Sequence, residues 1–500
     1  MNKIVSTLVG VAVVVGAVAT GGAWYTGQQV EGVLLGTVAN INSQIKASRQ
    51  GASSTAHLEL LSVERHWFTS TAHYRFTIIP KPGAQAQAPV ELLFVDHIEH
   101  GPLPWSRVKQ AKLWPVMVTS HYELERNDAT AKWFDATHGV PPVGALVNLG
   151  YDNGFDGTLE LIPADIQLDA VSTLQYSGLK LDLSADADAN NLKLQGYMDL
   201  FKLDLRAPDR PPLQVNWNGL TLASHLHQSP YGFYLGNNLI ELSSASMTFG
   251  APQKVLALKK FEQKTDSSAE GEKLNASLAY SVADVTLDGQ PLGNVQLALS
   301  AKRLDIPALQ AGLKIIEQAA DRGQAAAPAG SPRFQVELSA DERAAYETQL
   351  LKVLSGKPQV ALDNLSLKTA NGESRINLLV DLDAPTSTTL PSLELGQQVV
   401  KRLDANVSLS KPMLSDVGAL QARLQGQSDP QRILQQANLV SEMTSILALS
   451  SQMAVLEGAD VVSRLRYANG QVNLNGKDIP LEQFLGLLMN NFAGLVRPAP

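Results

Sequence analysis

Asp96-His97-Ile98-Glu99-His100 places carboxylates and imidazoles close enough in sequence to bind a metal or relay a proton. On a strand, however, His97 and Glu99 face one way while Asp96, Ile98 and His100 face the other. That splits the set, and hydrogen bonding ahead of the rigid Gly101-Pro102-Leu103-Pro104 turn is the stronger reading. Asp186-Ala187-Asp188-Ala189-Asn190 starts like a calcium loop, but Asn191 and Tyr197 stand where a glycine and a bidentate glutamate are needed, so a polar hairpin tip fits better. His225-Leu226-His227 puts two imidazoles on one strand face without an evident third zinc ligand. The chain has no P-loop, dinucleotide glycine motif, Gly-x-Ser-x-Gly elbow or His-Glu-x-x-His, and its lack of cysteine excludes disulfides, thiolate metal sites and a cysteine nucleophile. The expectation is therefore no catalytic residue, no cofactor and no metal.

The elements around these residues say more. Five hundred residues, 44% of them hydrophobic and 18% charged, give ample material for a core and argue against disorder. A formal net charge of −8 leaves no basic excess for nucleic acid. No charged residue occurs from Ile4 through Val14 to Trp24 and Tyr25, and about 22 residues make about 33 Å of helix, enough for a hydrocarbon core of about 30 Å. Lys3 before it and the aromatic pair after it predict a single-pass inner-membrane anchor over 1–27, with the amino terminus cytoplasmic and the bulk periplasmic. The bilayer is then a partner. Ala17-Val18-Ala19 keeps a cleaved signal peptide as the alternative. Val30, Val33, Leu34, Val38, Ile41 and Ile45 continue a helical stripe, a stalk over 28–53 that should dock on its own domain.

From residue 54 the period becomes two. His57–Leu60, Ala72–Ile78, Val116–Leu124, Thr158–Leu161, Leu179–Leu183, Leu192–Leu194 and Leu203–Leu205 alternate as antiparallel strands joined by turns. Segments such as Tyr176–Leu181, Trp217–Leu222, Val282–Leu287, Leu362–Leu367 and Leu403–Leu409 repeat a small or turn-forming residue before an apolar-x-apolar run. They read as strands entered through a bulge or tight turn. The fold class expected is α+β and β-dominated: a β-rich periplasmic domain over 54–304, a helix and linker over 305–333, and a second α+β subdomain over 334–500. The sheet must curve into a trough, close like a barrel, or pair as a sandwich. Asp305, Ser339 with Glu342, and Asp429 are helix caps, and Ile433, Leu434, Val440, Met443, Ile446, Leu447 and Met453 mark the apolar positions of a long helix. Asn469-Gly470 turns a hairpin.

Several segments together resemble the YdgA-like family of bacterial envelope proteins. They are Gly22–Gly27 after the anchor, Arg65-His66-Trp67-Phe68-Thr69-Ser70, His97 to His100 with Gly101, Pro102, Leu103 and Pro104, Trp217–Leu220, and Tyr467–Gly476. The resemblance covers nearly the whole chain. His66 stands where that family's turn leads one to expect glycine. It implies a location and a shape, with no reaction. A looser architectural similarity to AsmA-like proteins implies an association with outer-membrane lipid homeostasis. Two roles follow as expectations: a structural or assembly protein working through an envelope-protein partner, or a carrier of an acyl-chain lipid. The lining of such a carrier would include Leu179, Leu181, Leu183, Leu192, Leu194, Leu203 and Leu205.

Overall fold

A computed structural model describes residues 30–47, 54–80, 89–207, 210–326, 336–468 and 470–492. The anchor expected over 1–27, with Ile4, Val14, Trp24 and Tyr25, lies outside them. Among the described residues no helix is long and apolar enough to cross a membrane. The chain divides into two compact units, residues 1–240 with 317–337, and residues 241–316 with 338–500. Both are β-dominated and antiparallel, and among the described residues the longer helices follow residue 305 apart from Val30–Ala47.

The first unit opens with α1 (Val30–Ala47), whose Leu34, Val38 and Ile41 are buried in the core. It packs on the edge strand β1 (Ser54–Arg65). The Asn42 amide donates to the Leu58 carbonyl (2.8 Å) and accepts from the Leu58 N–H (2.9 Å). One side chain thereby satisfies the backbone groups that a further strand would use, which protects the edge. From β1 the chain runs as an antiparallel meander through β2 (Thr69–Pro80), β3 (Val90–His100), β4 (Val118–Leu124), β5 (Val143–Leu149) and β6 (Phe155–Leu161). Short helices α2 (Trp105–Lys109) and α3 (Ala131–Ala136) flank β4 in sequence. A hairpin of β7 (Ala164–Gln167) and β8 (Thr173–Tyr176) follows, and β9 (Leu179–Ala185) lies between β6 and β10 (Asn191–Ala207). Beside β10 runs β11 (Arg210–Gln228), and β12 (Tyr234–Phe249) comes next in the chain. Leu192–Leu194 and Leu203–Leu205, expected as separate strands, both belong to the 17-residue β10.

Four of the five recurrent small-residue segments turn out to be bends, three of them inside strands, while Leu403–Leu409 pairs in unbroken register with both of its neighbours. In the first unit, Gly178 (φ +96°) joins β8 to β9 and Gly219 (φ +62°) sits within β11. Tyr176 and Leu179 are three residues apart, as are Trp217 and Leu220, and β10 takes the matching step from Met198 to Phe201. Spacing of three would reverse the face on a regular strand; the bend returns both members to the same core.

The second unit carries β13 (Lys254–Glu270), β14 (Lys273–Leu287) and β15 (Gln290–Asp305) in antiparallel order. Asp305 caps α4 (Ile306–Ala326) through the Ala308 N–H at 3.0 Å, and that helix extends into the segment expected as linker. Ser339 and Glu342 form the expected capping box of α5 (Ala340–Ser355). The meander resumes with β16 (Gln359–Lys368) against β15, then β17 (Glu373–Leu382), α6 (Ser392–Val399) and β18 (Val400–Ser410). A helical pair, α7 (Lys411–Leu424) and α8 (Pro430–Ser450), precedes β19 (Val455–Glu457), β20 (Asp460–Ala468), β21 (Gln471–Leu474), β22 (Lys477–Ile479) and α9 (Leu481–Phe492). One-residue register shifts separate Val282 from Val285 in β14 and Leu362 from Leu365 in β16.

The expected long helix is α8, and its large apolar residues do not form its buried face. Its buried residues are Ala437, Ser441 and Ser445, while Leu434, Met443, Ile446 and Leu447 are exposed. The reason is close helix contact: a Cβ on Gly418 of α7 would stand 2.9 Å from the Ala437 Cα. Only small residues fit at that seam, so the large ones are turned outward.

Candidate functional site

The strand geometry divides Asp96-His97-Ile98-Glu99-His100 as its alternation predicts. His97 is exposed opposite Thr71 and His121. Glu99 accepts from the Ser106 N–H (3.0 Å) and hydroxyl (2.7 Å). The His100 Nε2 pairs with the Ser70 hydroxyl at 2.8 Å, and partial burial lowers the imidazole pKa. Among the described residues no three His, Asp or Glu side chains gather as a metal site. Asp186 instead braces a hairpin tip by accepting the Asn191 N–H at 2.7 Å, and His225 and His227 are exposed.

After His100 the chain forms a tightly tied loop. Gly101, in the left-handed region at φ +103°, donates its N–H to the Met117 carbonyl, and the Pro102 carbonyl accepts from Val116. Pro104 is buried, and its carbonyl receives the Arg107 and Val108 N–H groups at the start of α2. The neighbouring β1–β2 turn is tied to it, because the His100 N–H donates to the Phe68 carbonyl at 2.8 Å. His66 closes that turn onto Thr69 without a positive φ, so no glycine is required there.

Strand alternation by itself assigns Asp96 only to one half of a split cluster. The residue is fully buried in the apolar core of the first unit, directly across from Ala72 and Tyr122. Burial raises its carboxyl pKa well above the usual range, and the nearby Tyr122 and Ser120 hydroxyls oppose this without reversing it. Neither carboxyl oxygen has a well-formed hydrogen bond. The rings of Tyr74 and Tyr122 lie 6.4 Å apart, and burial followed by the charge of Asp96 raises both phenol pKa values. The three oxygens sit in an apolar core, where burial favours the protonated form of each.

Of the seven leucines singled out as a lining, Leu179 and Leu181 are buried, Leu183, Leu192, Leu194 and Leu203 are half-buried, and Leu205 is exposed. Leu183 pairs with Leu194, and Leu181 with Gly196, on neighbouring strands. The second unit presents a longer apolar face. Leu278, Leu299, Leu362 and Leu378 are successive cross-strand partners on β14 to β17, and Tyr280, Leu297, Leu365 and Ile376 form the next row. None of these eight is fully buried, and Leu299 and Leu365 are 39% and 38% exposed. Helices touch this part of the sheet at strand ends: the Arg303 guanidinium donates to the Lys357 carbonyl just after α5, and Asp416 of α7 accepts from Asn371 after β16. At the far strands the face closes, where Phe484 of α9 packs with Tyr467 and Val472.

A family described as a bacterial protein of unknown function, DUF945, matches residues 1–482. The chain belongs to that family. Its relatives include Protein YdgA of Escherichia coli (strain K12), 28% identical with 97% of each chain covered, which bears out the YdgA-like resemblance. Another is the uncharacterized protein YihF of the same strain, 22% identical over 95% of this chain and 97% of the relative. An uncharacterized protein of Haemophilus influenzae is 22% identical over 61% of this chain and 84% of its own length. No solved structure matches.

Proposed function

We propose that this DUF945 protein is a non-enzymatic component of the cell envelope, held at the inner membrane by residues 1–27 with its bulk in the periplasm, and that it binds a hydrophobic chain such as the acyl part of a lipid. The observation that carries this reading is the apolar face of β14 to β17, which crosses four strands without one of its eight central side chains being fully buried. Contiguous apolar surface on that scale marks a binding site more often than a resting surface. Bulges at Val282–Val285 and Leu362–Leu365 bend the strands that carry it, as a trough requires.

The test is to purify the full chain in mild detergent and analyse its organic extract by mass spectrometry. Wild-type protein is expected to carry near-stoichiometric lipid, and a Leu299→Glu, Leu365→Glu variant to carry none. Both positions are more than one third exposed, so the variant should lose no more than about 1 kcal/mol of stability. Repeated absence of lipid from the wild type, or its retention by the variant, would overturn the reading. An assembly role through protein contacts is the second reading, favoured by the exposed stripe of Leu439, Met443, Ile446 and Leu447 on α8. Lipid-free protein that cross-links to an envelope protein through that stripe would favour it.

A further inference from the structure

At one end of the first unit, two adjacent turns project large apolar side chains into water. The β1–β2 turn carries Trp67 (95% exposed) and Phe68, and the β3–β4 loop carries Leu103, Trp105, Leu113 and Trp114 (82% exposed). These side chains stand on a fixed base. The Phe68 carbonyl is bound by His100, Ser106 is held by Glu99, and the Arg107 guanidinium donates to the Trp114 carbonyl at 3.2 Å. Lys109 lies 5.8 Å from the centre of the Trp105 ring.

Along these two turns the charge has one dominant sign, with Asp152 on the neighbouring β5–β6 turn. Arg107, Lys109 and Lys112 belong to the loop, Arg65 is the last residue of β1 before the turn, and no Asp or Glu occurs from Gly101 to Tyr122. Glu64 precedes Arg65 on β1, and Glu99 is engaged by Ser106. Such a local excess is notable in a chain whose net charge is −8. Tryptophans interleaved with lysine and arginine match the headgroup layer of a bilayer, where an indole places its ring among acyl carbons and its N–H among polar groups while the cations meet lipid phosphates. The side chains also project outward, a wedge that fluid lipid can close around, whereas a protein partner would need a pocket already cut to this shape.

We propose that this tip inserts into the interface of an anionic bilayer, as a membrane contact separate from the anchor over 1–27. It does not depend on lipid carriage by the second unit.

Because the chain has no cysteine, single spin labels can be placed without background. Full-length protein with Phe68→Cys or Leu113→Cys is reconstituted in phosphatidylcholine vesicles with or without about one third phosphatidylglycerol. A Val171→Cys label in the exposed β7–β8 turn is the control. Collision with lipid-soluble oxygen relative to aqueous nickel chelate is expected to be about tenfold higher at the tip than at Val171 in the anionic vesicles. Combining Arg107→Ala, Lys109→Ala and Lys112→Ala should remove the preference for anionic lipid. Circular dichroism checks that each variant keeps its β-structure. Tip labels as open to nickel as the control, with the protein still vesicle-bound, would overturn the proposal and leave the anchor intact. Labels shielded from both quenchers would overturn it in favour of a protein contact.

Discussion

Asp96 shows how one residue can tie stability to pH. Its folded-state pKa is raised by burial, so the folded protein keeps the proton that the unfolded chain gives up above about 3.8. Below that value both states are protonated and the penalty vanishes; as pH rises toward the folded-state pKa, stability falls. Asp96→Asn removes the ionisable group and keeps the shape. It should raise the thermal midpoint at pH 7, leave it nearly unchanged near pH 4, and flatten the pH dependence between them. Thermal melts across that range check this, and equal effects at both ends would contradict the assignment.

At the scale of elements, two contacts govern how helices meet their neighbours. Asn42 is the clamp between α1 and the edge of β1, and Asn42→Ala leaves both Leu58 backbone groups without that partner. A loss of about 1–3 kcal/mol is expected, with faster hydrogen exchange at the Leu58 amide as the local signature. Gly418 sets the α7–α8 distance. Gly418→Ala forces a methyl against the Ala437 backbone and should cost about 1–3 kcal/mol in a urea titration. Gly396 in α6 has open space around its Cα, so Gly396→Ala should instead stabilise by about 0.5–1 kcal/mol. The contrast separates close packing from helix propensity.

For the molecule as a whole, the proposal that the face of β14 to β17 holds an apolar ligand predicts a stability linked to that ligand. If the occupant is a lipid, delipidated protein should melt lower than protein as purified, and adding lipid back at about 100 times its dissociation constant should restore about 2.7 kcal/mol. The Leu299→Glu, Leu365→Glu variant should show no such recovery. Differential scanning calorimetry with and without added phospholipid measures both.

Local chemistry made much of this architecture legible from the residues alone. Alternation located the strands, because a sheet with one wet face repeats every two residues. Ser339 with Glu342, and Asp305, located helix starts, because a cap satisfies N–H groups only a few residues away. The split of His97 and Glu99 from Asp96 and His100 also followed from strand period. Other features depended on partners distant in sequence. Nothing near Asp96 announces that Tyr74 and Tyr122 will enclose it, and nothing near Met443 or Leu447 announces that Gly418 will draw the small-residue side of α8 inward. Leu-x-Leu runs occur in both units. Which of them is sealed and which stays open was decided by where the helices pack, a balance of long-range contacts that no local spacing encodes.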